Sequence, residues 1–324
     1  MINSLNVESP QQIDPKPSVG WILHSLPVEQ IHHHRLRLRH PAGIYSLSLT
    51  RIAARFRSVL DELDTLRTDY ASNGKIPDVV VLADRVESLL YCLVEHLEDC
   101  KNVLRILFAS ERSADKSPHY SHFDKEILSY RRRLGEIVNS IKHRTGRICG
   151  VILHNRSLFV PGYYVESAID ATSVGPDTNL HNGGDTAISL FRDLKYHFVH
   201  VYLIAHHLQN AVQSIWNSPL EPEFLKPKSE KLEFLELARR LILLPDVVYY
   251  DERLLPYPRI RIGTLGDQVN RLTLAFAHPD QSLRTFDDYQ IRVSFQGDSF
   301  TKTIKLPYLR TGWQRQFLQA PHRN

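Results

Sequence analysis

The spacing of hydrophobic residues changes twice along this chain, and this change constrains the fold more than any other feature of the sequence. Between residues 44 and 143, apolar side chains recur every three or four positions, as they do on one face of an α-helix. From Ile148 to Ser167 they are continuous or alternate, which is typical of β-strands. The helical spacing returns between Asp185 and Trp216. This order predicts an α+β protein.

Four long helices are predicted from the apolar stripes. The first ends near Asn73-Gly74, the second opens at Pro77, the third begins at about His122, and Asp185 caps the fourth. Strands and a glycine-rich loop lie between the third and fourth helices. We therefore predict a mainly α four-helix bundle over residues 44–216, with a β-hairpin insertion at 148–184.

The two ends of the chain differ from this central region. Residues 1–43 contain prolines and a run of histidine and arginine from His32 to His40, so we predict an N-terminal tail and basic arm. Residues 217–228 contain three prolines and are predicted to be a linker. Residues 229–324 hold a short helix and several alternating segments, which predict a small antiparallel β domain at the C-terminal end.

Composition excludes several classes of protein. The chain has 324 residues, of which 42% are hydrophobic, and its net charge is +4, values typical of a soluble globular protein. It contains no apolar run long enough to span a bilayer and no signal-peptide pattern at its start, so we expect a cytoplasmic protein without membrane partners. Its three cysteines form no CxxC pair. P-loop, GxGxxG, HExxH and GxSxG motifs are also missing from the sequence.

Histidine carries the only candidate chemistry, with 17 residues in the chain and several on the fourth helix. Asp193, His197 and His200 follow one another at four- and three-residue spacing, so they share a helical face. A carboxylate four residues before an imidazole can orient it, and Arg192 beside them can bind a phosphate group. An arginine, an acid and a histidine on one helix predict metal-independent cleavage of a phosphodiester.

The segment from Arg192 to His197 resembles the Rx4–6H motif of the HEPN superfamily of small helical-bundle proteins. Asp193 stands at the motif's polar second position, and the segment lies near the start of the last long helix, as it does in that superfamily. The resemblance implies a dimeric, metal-independent endoribonuclease of a bacterial defence or toxin–antitoxin system, with RNA as substrate and an antitoxin or defence protein as partner. It implies a phosphate contact for Arg192, an orienting acid in Asp193 and a base in His197, with no cofactor.

The end of the third helix offers a companion set of polar residues. Asn139, Lys142, His143 and Arg144 follow the basic cluster Arg131–Arg133, and with His200 they are predicted to bind the substrate beside His197. Cations at a helix C-terminus are also favoured by the helix dipole alone, and that interpretation stays open. The Asn-x-x-Lys-His helix end and the Gly-Tyr hairpin are similar to uncharacterised bacterial proteins, a similarity that implies no function.

Two alternatives to a ribonuclease stay open at this point. In the first, the bundle is a non-catalytic interaction or assembly module, and the histidine stripe is structural or lies at a subunit interface. In the second, Asp193, His197 and His200 bind zinc or iron in a metal-dependent enzyme. We predict no metal at the site.

Overall fold

The computed structural model describes residues 4–8, 19–74, 77–143, 146–155, 158–216, 233–265, 268–277, 289–294 and 300–309. Within these ranges the chain forms eight α-helices and two β-sheets, which confirms the α+β class. The helices are α1 (Gly20–His24), α2 (Pro41–Asn73), α3 (Val80–Arg105), α4 (Glu111–Asp115), α5 (Pro118–Glu126), α6 (Leu128–His143), α7 (Leu190–Trp216) and α8 (Glu233–Ile242).

The strands divide between a six-stranded and a three-stranded sheet. They are β1 (Ser4–Glu8), β2 (Arg147–Asn155), β3 (Leu158–Ala168), β4 (Ser173–Pro176), β5 (Ile188–Ser189), β6 (Tyr257–Leu265), β7 (Gln268–Ala277), β8 (Gln290–Val293) and β9 (Thr303–Ile304). The larger sheet has the order β8-β2-β3-β4-β9, with β5 paired to β3, and the smaller one has the order β1-β7-β6. A short 3₁₀ helix (Tyr250–Leu254) precedes β6.

Helices α2 and α3 lie close to where the apolar stripes predict them. The His40 side chain accepts a hydrogen bond from the backbone N–H of Ala42, and Pro41 takes the first helical position of α2. The helix stops at Gly74, whose φ of 62° is a left-handed conformation that glycine adopts without strain. It packs on α3 and also contacts α8, where Arg240 pairs with Asp61 and Asp64 of α2.

The predicted third helix is two helices in the structure. Ser117 caps α5, Pro118 occupies its first turn, and the chain bends at Ile127 before α6 begins. A further short helix, α4, precedes α5, because Ser110 forms a capping box with Ser113 at its start. Local capping therefore adds two helix starts that the apolar stripe does not reveal.

The β2–β3 hairpin lies where the sequence predicts it, but it is part of a larger sheet. Strand β8 pairs antiparallel with β2, with Val151 opposite Val293, and β9 pairs parallel with β4. Gly162 on β3 permits a close approach, since a Cβ there would lie 2.3 Å from both the Tyr249 hydroxyl and the Ile188 carbonyl oxygen. Two segments from the C-terminal part of the chain thus complete the hairpin's sheet.

The smaller sheet is antiparallel, as predicted for the C-terminal part, but its third strand comes from the N-terminus. Residues 4–8 pair with β7, with Asn6 opposite Thr273, whereas the sequence predicts a tail there. The basic arm is likewise ordered in part, since the backbone N–H of His32 donates to the carbonyl oxygen of Ile106. The predicted linker, 217–228, lies outside the described residues.

One hydrophobic core joins the helices to the larger sheet. It contains buried residues of α2, α3, α6 and α7, of β2 and β3, and of α8, and it includes Tyr308 near the end of the described chain. Helix α7 packs on β3 and β6 as well as on α3 and α5. In the described part of the chain, no helix is long and apolar enough to cross a membrane.

Candidate functional site

The first two turns of α7 carry the predicted motif, and they lie inside the protein. Strand β5, which pairs with β3, leads directly into the helix, so its first residues start beneath the larger sheet. Arg192, Asp193 and His197 are exposed by only 2%, 1% and 1%. Burial of three ionisable side chains is costly unless they are paired, so their partners decide what the site can do.

Asp193 and His197 form the centre of a hydrogen-bonded network. His197 Nε2 lies 3.1 Å from Asp193 Oδ2, and the Tyr130 hydroxyl lies 2.9 Å from His197 Nδ1. The Tyr163 hydroxyl donates to Asp193 Oδ2 at 2.7 Å. Burial by itself would raise the pKa of the Asp193 carboxyl, but His197, Arg133 and Tyr163 favour the carboxylate and hold that pKa well below its usual range. Asp193 is therefore an ionised carboxylate that orients an imidazole.

Arg133, from the first turns of α6, is the cation nearest to this pair. Its Nη2 lies 3.6 Å from Asp193 Oδ1, and its Cζ lies 4.8 Å from the centre of the Tyr196 ring. The Arg133 side chain is 32% exposed, whereas that of Asp193 is 2% exposed. Arg133 thus links the buried pair to the solvent.

Arg192 makes its hydrogen bond elsewhere. Its Nη2 donates to the carbonyl oxygen of Pro256 at 2.9 Å, while its Nε and Nη1 are buried and find no hydrogen-bond partner within the described ranges. The positive charge of Arg192 favours the carboxylate form of Glu252. Burial has the larger effect, however, and raises the pKa of Glu252 to about 7. Arg192 therefore interacts with the segment before β6 rather than with His197.

His200 lies in the outer wall of the network. Its ring stacks on that of Tyr130 with centroids 4.2 Å apart, and its Nδ1 lies 2.9 Å from the carbonyl oxygen of Tyr196. Phe276 of β7 covers the other side, 5.2 Å from the His200 ring. Burial lowers the pKa of His200 to about 3, so this side chain is neutral at physiological pH.

The predicted substrate-binding residues of the third helix lie away from this network. Asn139, Lys142 and His143 are exposed on the last turns of α6, and Lys142 Nζ lies 4.8 Å from the centre of the Tyr91 ring. Nine residues separate Arg133 from Lys142, which is about 14 Å along a helix. Arg144 lies outside the described residues. The structure therefore brings Asp193, His197 and His200 together but does not bring the end of α6 to them.

Sequence reasoning missed the tyrosines that complete the network. Tyr130 lies one turn before Arg133, and Tyr163 belongs to the Gly-Tyr segment of the hairpin. The only sequence signal for either is a polar aromatic side chain inside an otherwise apolar segment, because a buried tyrosine hydroxyl needs a hydrogen-bond partner.

The metal-binding alternative finds no support in this geometry. Among the residues that the structure describes, no group of three histidine, cysteine, aspartate or glutamate side chains is placed to hold a metal ion. Instead, His197 is hydrogen-bonded to Asp193, and His200 to the Tyr196 carbonyl oxygen.

Comparisons of the chain with models of protein families, with curated proteins and with solved structures gave no match.

Proposed function

We propose that this protein is a metal-independent endoribonuclease with a HEPN-like helical core, and that Asp193, His197 and Arg133 form its reaction centre. One observation carries the proposal: an ionised acid orients an imidazole beside a guanidinium that reaches the solvent. Acid, base and cation are the groups that RNA cleavage without a metal needs.

The proposed reaction uses the 2′-hydroxyl of the RNA as nucleophile. His197 withdraws the 2′-hydroxyl proton and the 2′-oxygen forms a bond to phosphorus. The bond between phosphorus and the 5′-oxygen of the next nucleotide breaks, and this oxygen takes up the proton that the His197 imidazolium returns. The products are a 2′,3′-cyclic phosphate and a 5′-hydroxyl end. Asp193 stabilises the imidazolium, and Arg133 rather than Arg192 stabilises the charge on the phosphorus oxygens.

In this proposal the structure corresponds to a closed form of the enzyme. Both ring nitrogens of His197 are occupied, and the Tyr130 hydroxyl lies at Nδ1, where a substrate hydroxyl would bind. Tyr196, His200 and Phe276 lie in contact over the outer side of the network. Substrate would enter beside Arg133 once Phe276 moves away from the rings of Tyr196 and His200.

The biological setting is part of the same proposal. A homodimer through the helical core, an antitoxin or defence partner, and a cytoplasmic location all follow from the HEPN resemblance and from composition. They are proposed together with the RNA substrate.

A second candidate function is favoured by the burial of the network. His197 is 1% exposed and both of its nitrogens have protein partners, an arrangement typical of a structural histidine. In that case Asp193 and His197 fasten α7 to α6 and β3, and the protein is a non-catalytic interaction or assembly module.

The test is cleavage of end-labelled RNA by the purified protein in EDTA. We expect products with cyclic phosphate ends, a rate reduced at least about 100-fold in His197→Gln, and a smaller loss in Arg133→Gln. Arg132→Gln is the matched control, because Arg132 is the neighbouring exposed arginine on α6. Phe276→Ala should increase the rate, since it removes part of the cover.

Folding of each variant is measured by circular dichroism, so that loss of structure is separated from loss of chemistry. Absence of cleavage in both the wild type and Phe276→Ala would reject the ribonuclease in favour of the second candidate. Cleavage that persists at full rate in a folded His197→Gln protein would show that the proposed centre is wrong.

A further inference from the structure

A polar cavity that is open to the solvent lies outside this site, where the C-terminal end of α3 meets α4 and α5. Its volume is about 310 Å³, at the lower end of the range for cavities that bind small molecules. Side chains of all three helices line it, and most of them are charged or carry a hydroxyl group. We ask which ligand these groups would bind.

The positive charges of the cavity are only partly compensated. Asp124 is shared by two cations, since it pairs with Lys101 at 3.5 Å and also with Arg131. Arg105 donates to the neutral side-chain oxygen of Asn102 at 3.1 Å. Within the described residues, neither Arg105 nor Lys125 has a carboxylate within ion-pair distance. Two cations in the lining are thus available to an anion.

Tyr120 adds an unused hydrogen-bond donor to the same cavity. The residue is 7% exposed, and in the part of the chain that the structure describes its hydroxyl is buried without a hydrogen-bond partner. The guanidinium carbon of Arg105 lies 5.9 Å from the centre of its ring. Because buried hydroxyls are nearly always hydrogen-bonded, this one in the wall of a cationic cavity lacks an acceptor, which a bound anion would supply once the side chains that cover it shift. The hydroxyl of Ser121 lines the cavity beside it.

We propose that this cavity binds the phosphate group of a phosphomonoester. Arg105 and Lys125 match the charge of the dianion, and the hydroxyls of Tyr120 and Ser121 supply neutral donors. Asp115, on the exposed side of the cavity, weakens binding by repulsion. The phosphate belongs either to a free nucleoside monophosphate or to the 5′ end of an RNA. This proposal stands whether or not the protein cleaves RNA.

Isothermal titration of the full chain at low salt tests the site. The probes are inorganic phosphate, adenosine 5′-monophosphate, and one short RNA prepared with either a 5′-phosphate or a 5′-hydroxyl. We expect phosphate-bearing probes to bind and Arg105→Gln to weaken their binding at least tenfold. Arg112→Gln, an exposed α4 arginine outside the cavity, should leave binding unchanged.

Two further variants separate a binding role from a structural one. Tyr120→Phe removes a hydroxyl that has no partner among the described residues, so it should weaken binding severalfold without lowering the melting temperature. Asp115→Asn removes the repulsive charge and should tighten binding. These two effects in opposite directions would not arise from general damage to the fold.

Each result of the titration either identifies the ligand or overturns the proposal. Binding of the monophosphate alone identifies a small-molecule site, and preference for the 5′-phosphorylated RNA over its 5′-hydroxyl form identifies an RNA end. Equal binding of the two RNAs together with no binding of either small probe would overturn the proposal. So would equal affinities of Arg105→Gln and Arg112→Gln for the phosphate-bearing probes.

Discussion

The start of α7 and the end of α6 present the same kind of residues in opposite environments. Asp193 and His197 are 1% exposed and bonded to each other and to tyrosines, whereas Asn139, Lys142 and His143 are exposed. Both sets follow the helical period, and both were predicted as parts of one site. The difference lies in which side of each helix is covered. Strands β3 and β6 pack on α7, whereas α6 packs on α3, β2 and β3 through its other side, where Ile137 and Val138 are buried, and leaves Asn139, Lys142 and His143 exposed.

This comparison shows that a polar stripe on a helix is not evidence of a surface. A buried polar network and a binding face have the same spacing in sequence, since spacing reports which residues share a side and not what covers that side. We expect the effect on stability to be largest for the buried Asp193, intermediate for buried histidines and smallest at the end of α6.

The largest effect is expected for Asp193→Ala. The substitution leaves His197, the Tyr163 hydroxyl and the nearby Arg133 without their shared carboxylate in a buried setting. We expect the free energy of unfolding to fall by about 3–5 kcal/mol, measured by urea denaturation. Glu136→Ala, at an exposed position of α6, is the control and should change it by less than about 0.5 kcal/mol. Equal effects of the two substitutions would contradict the assignment of Asp193 to the core.

An intermediate effect is expected from pH, because several histidines are buried as neutral rings. Burial lowers the pKa of His96 and His181 to about 4 and that of His200 to about 3. At these three histidines the unfolded chain binds more protons than the folded one below about pH 6.5, so they make stability fall as pH decreases toward their folded pKa values.

His181→Gln isolates one such contribution. His181 Nε2 accepts the backbone N–H of Val165 at 2.8 Å, a bond that glutamine can replace with its amide oxygen. We expect the dependence of unfolding free energy on pH between 6 and 4.5 to decrease by about 1 kcal/mol per pH unit. The slope of the variant is compared with that of the wild type, because Glu252, whose pKa is raised, contributes a slope of opposite sign to both proteins. An unchanged slope would show that His181 is protonated in the folded protein.

The smallest effects are expected at the end of α6. Lys142→Ala removes an exposed cation over the Tyr91 ring, and His143→Ala removes an exposed side chain. Each should change the free energy of unfolding by no more than about 1 kcal/mol in urea. A loss as large as that of Asp193→Ala would mean that this helix end is part of the core after all.

The fold was predictable to the level of its elements. The hydrophobic period placed the long helices and the hairpin, because burying an apolar face is a property of each segment by itself. The period did not predict that residues 4–8 pair with β7 or that β8 pairs with β2, because strands so far apart in sequence meet only through the tertiary fold. Nor did it separate α5 from α6, because the apolar stripe continues through Ile127, where α5 ends.

The candidate site was predictable only within one helix. Asp193 and His197, four residues apart on a helix, interact as their spacing implies. Arg192 was predicted as their cation, but it bonds to Pro256 and leaves that position to Arg133 of α6. The choice between two arginines depends on which neighbouring segment each can reach, and no local pattern contains that information.

The sequence by itself thus determined the α+β class, the long helices, the hairpin and the acid–histidine pair, all of which arise from contacts between near neighbours along the chain. The tertiary structure alone decided that this pair is buried, that two tyrosines and Arg133 complete it, and that Arg105 and Tyr120 meet at a separate cavity. The physical reason is that burial and charge pairing depend on all the segments packed around a residue, and these are distant in sequence.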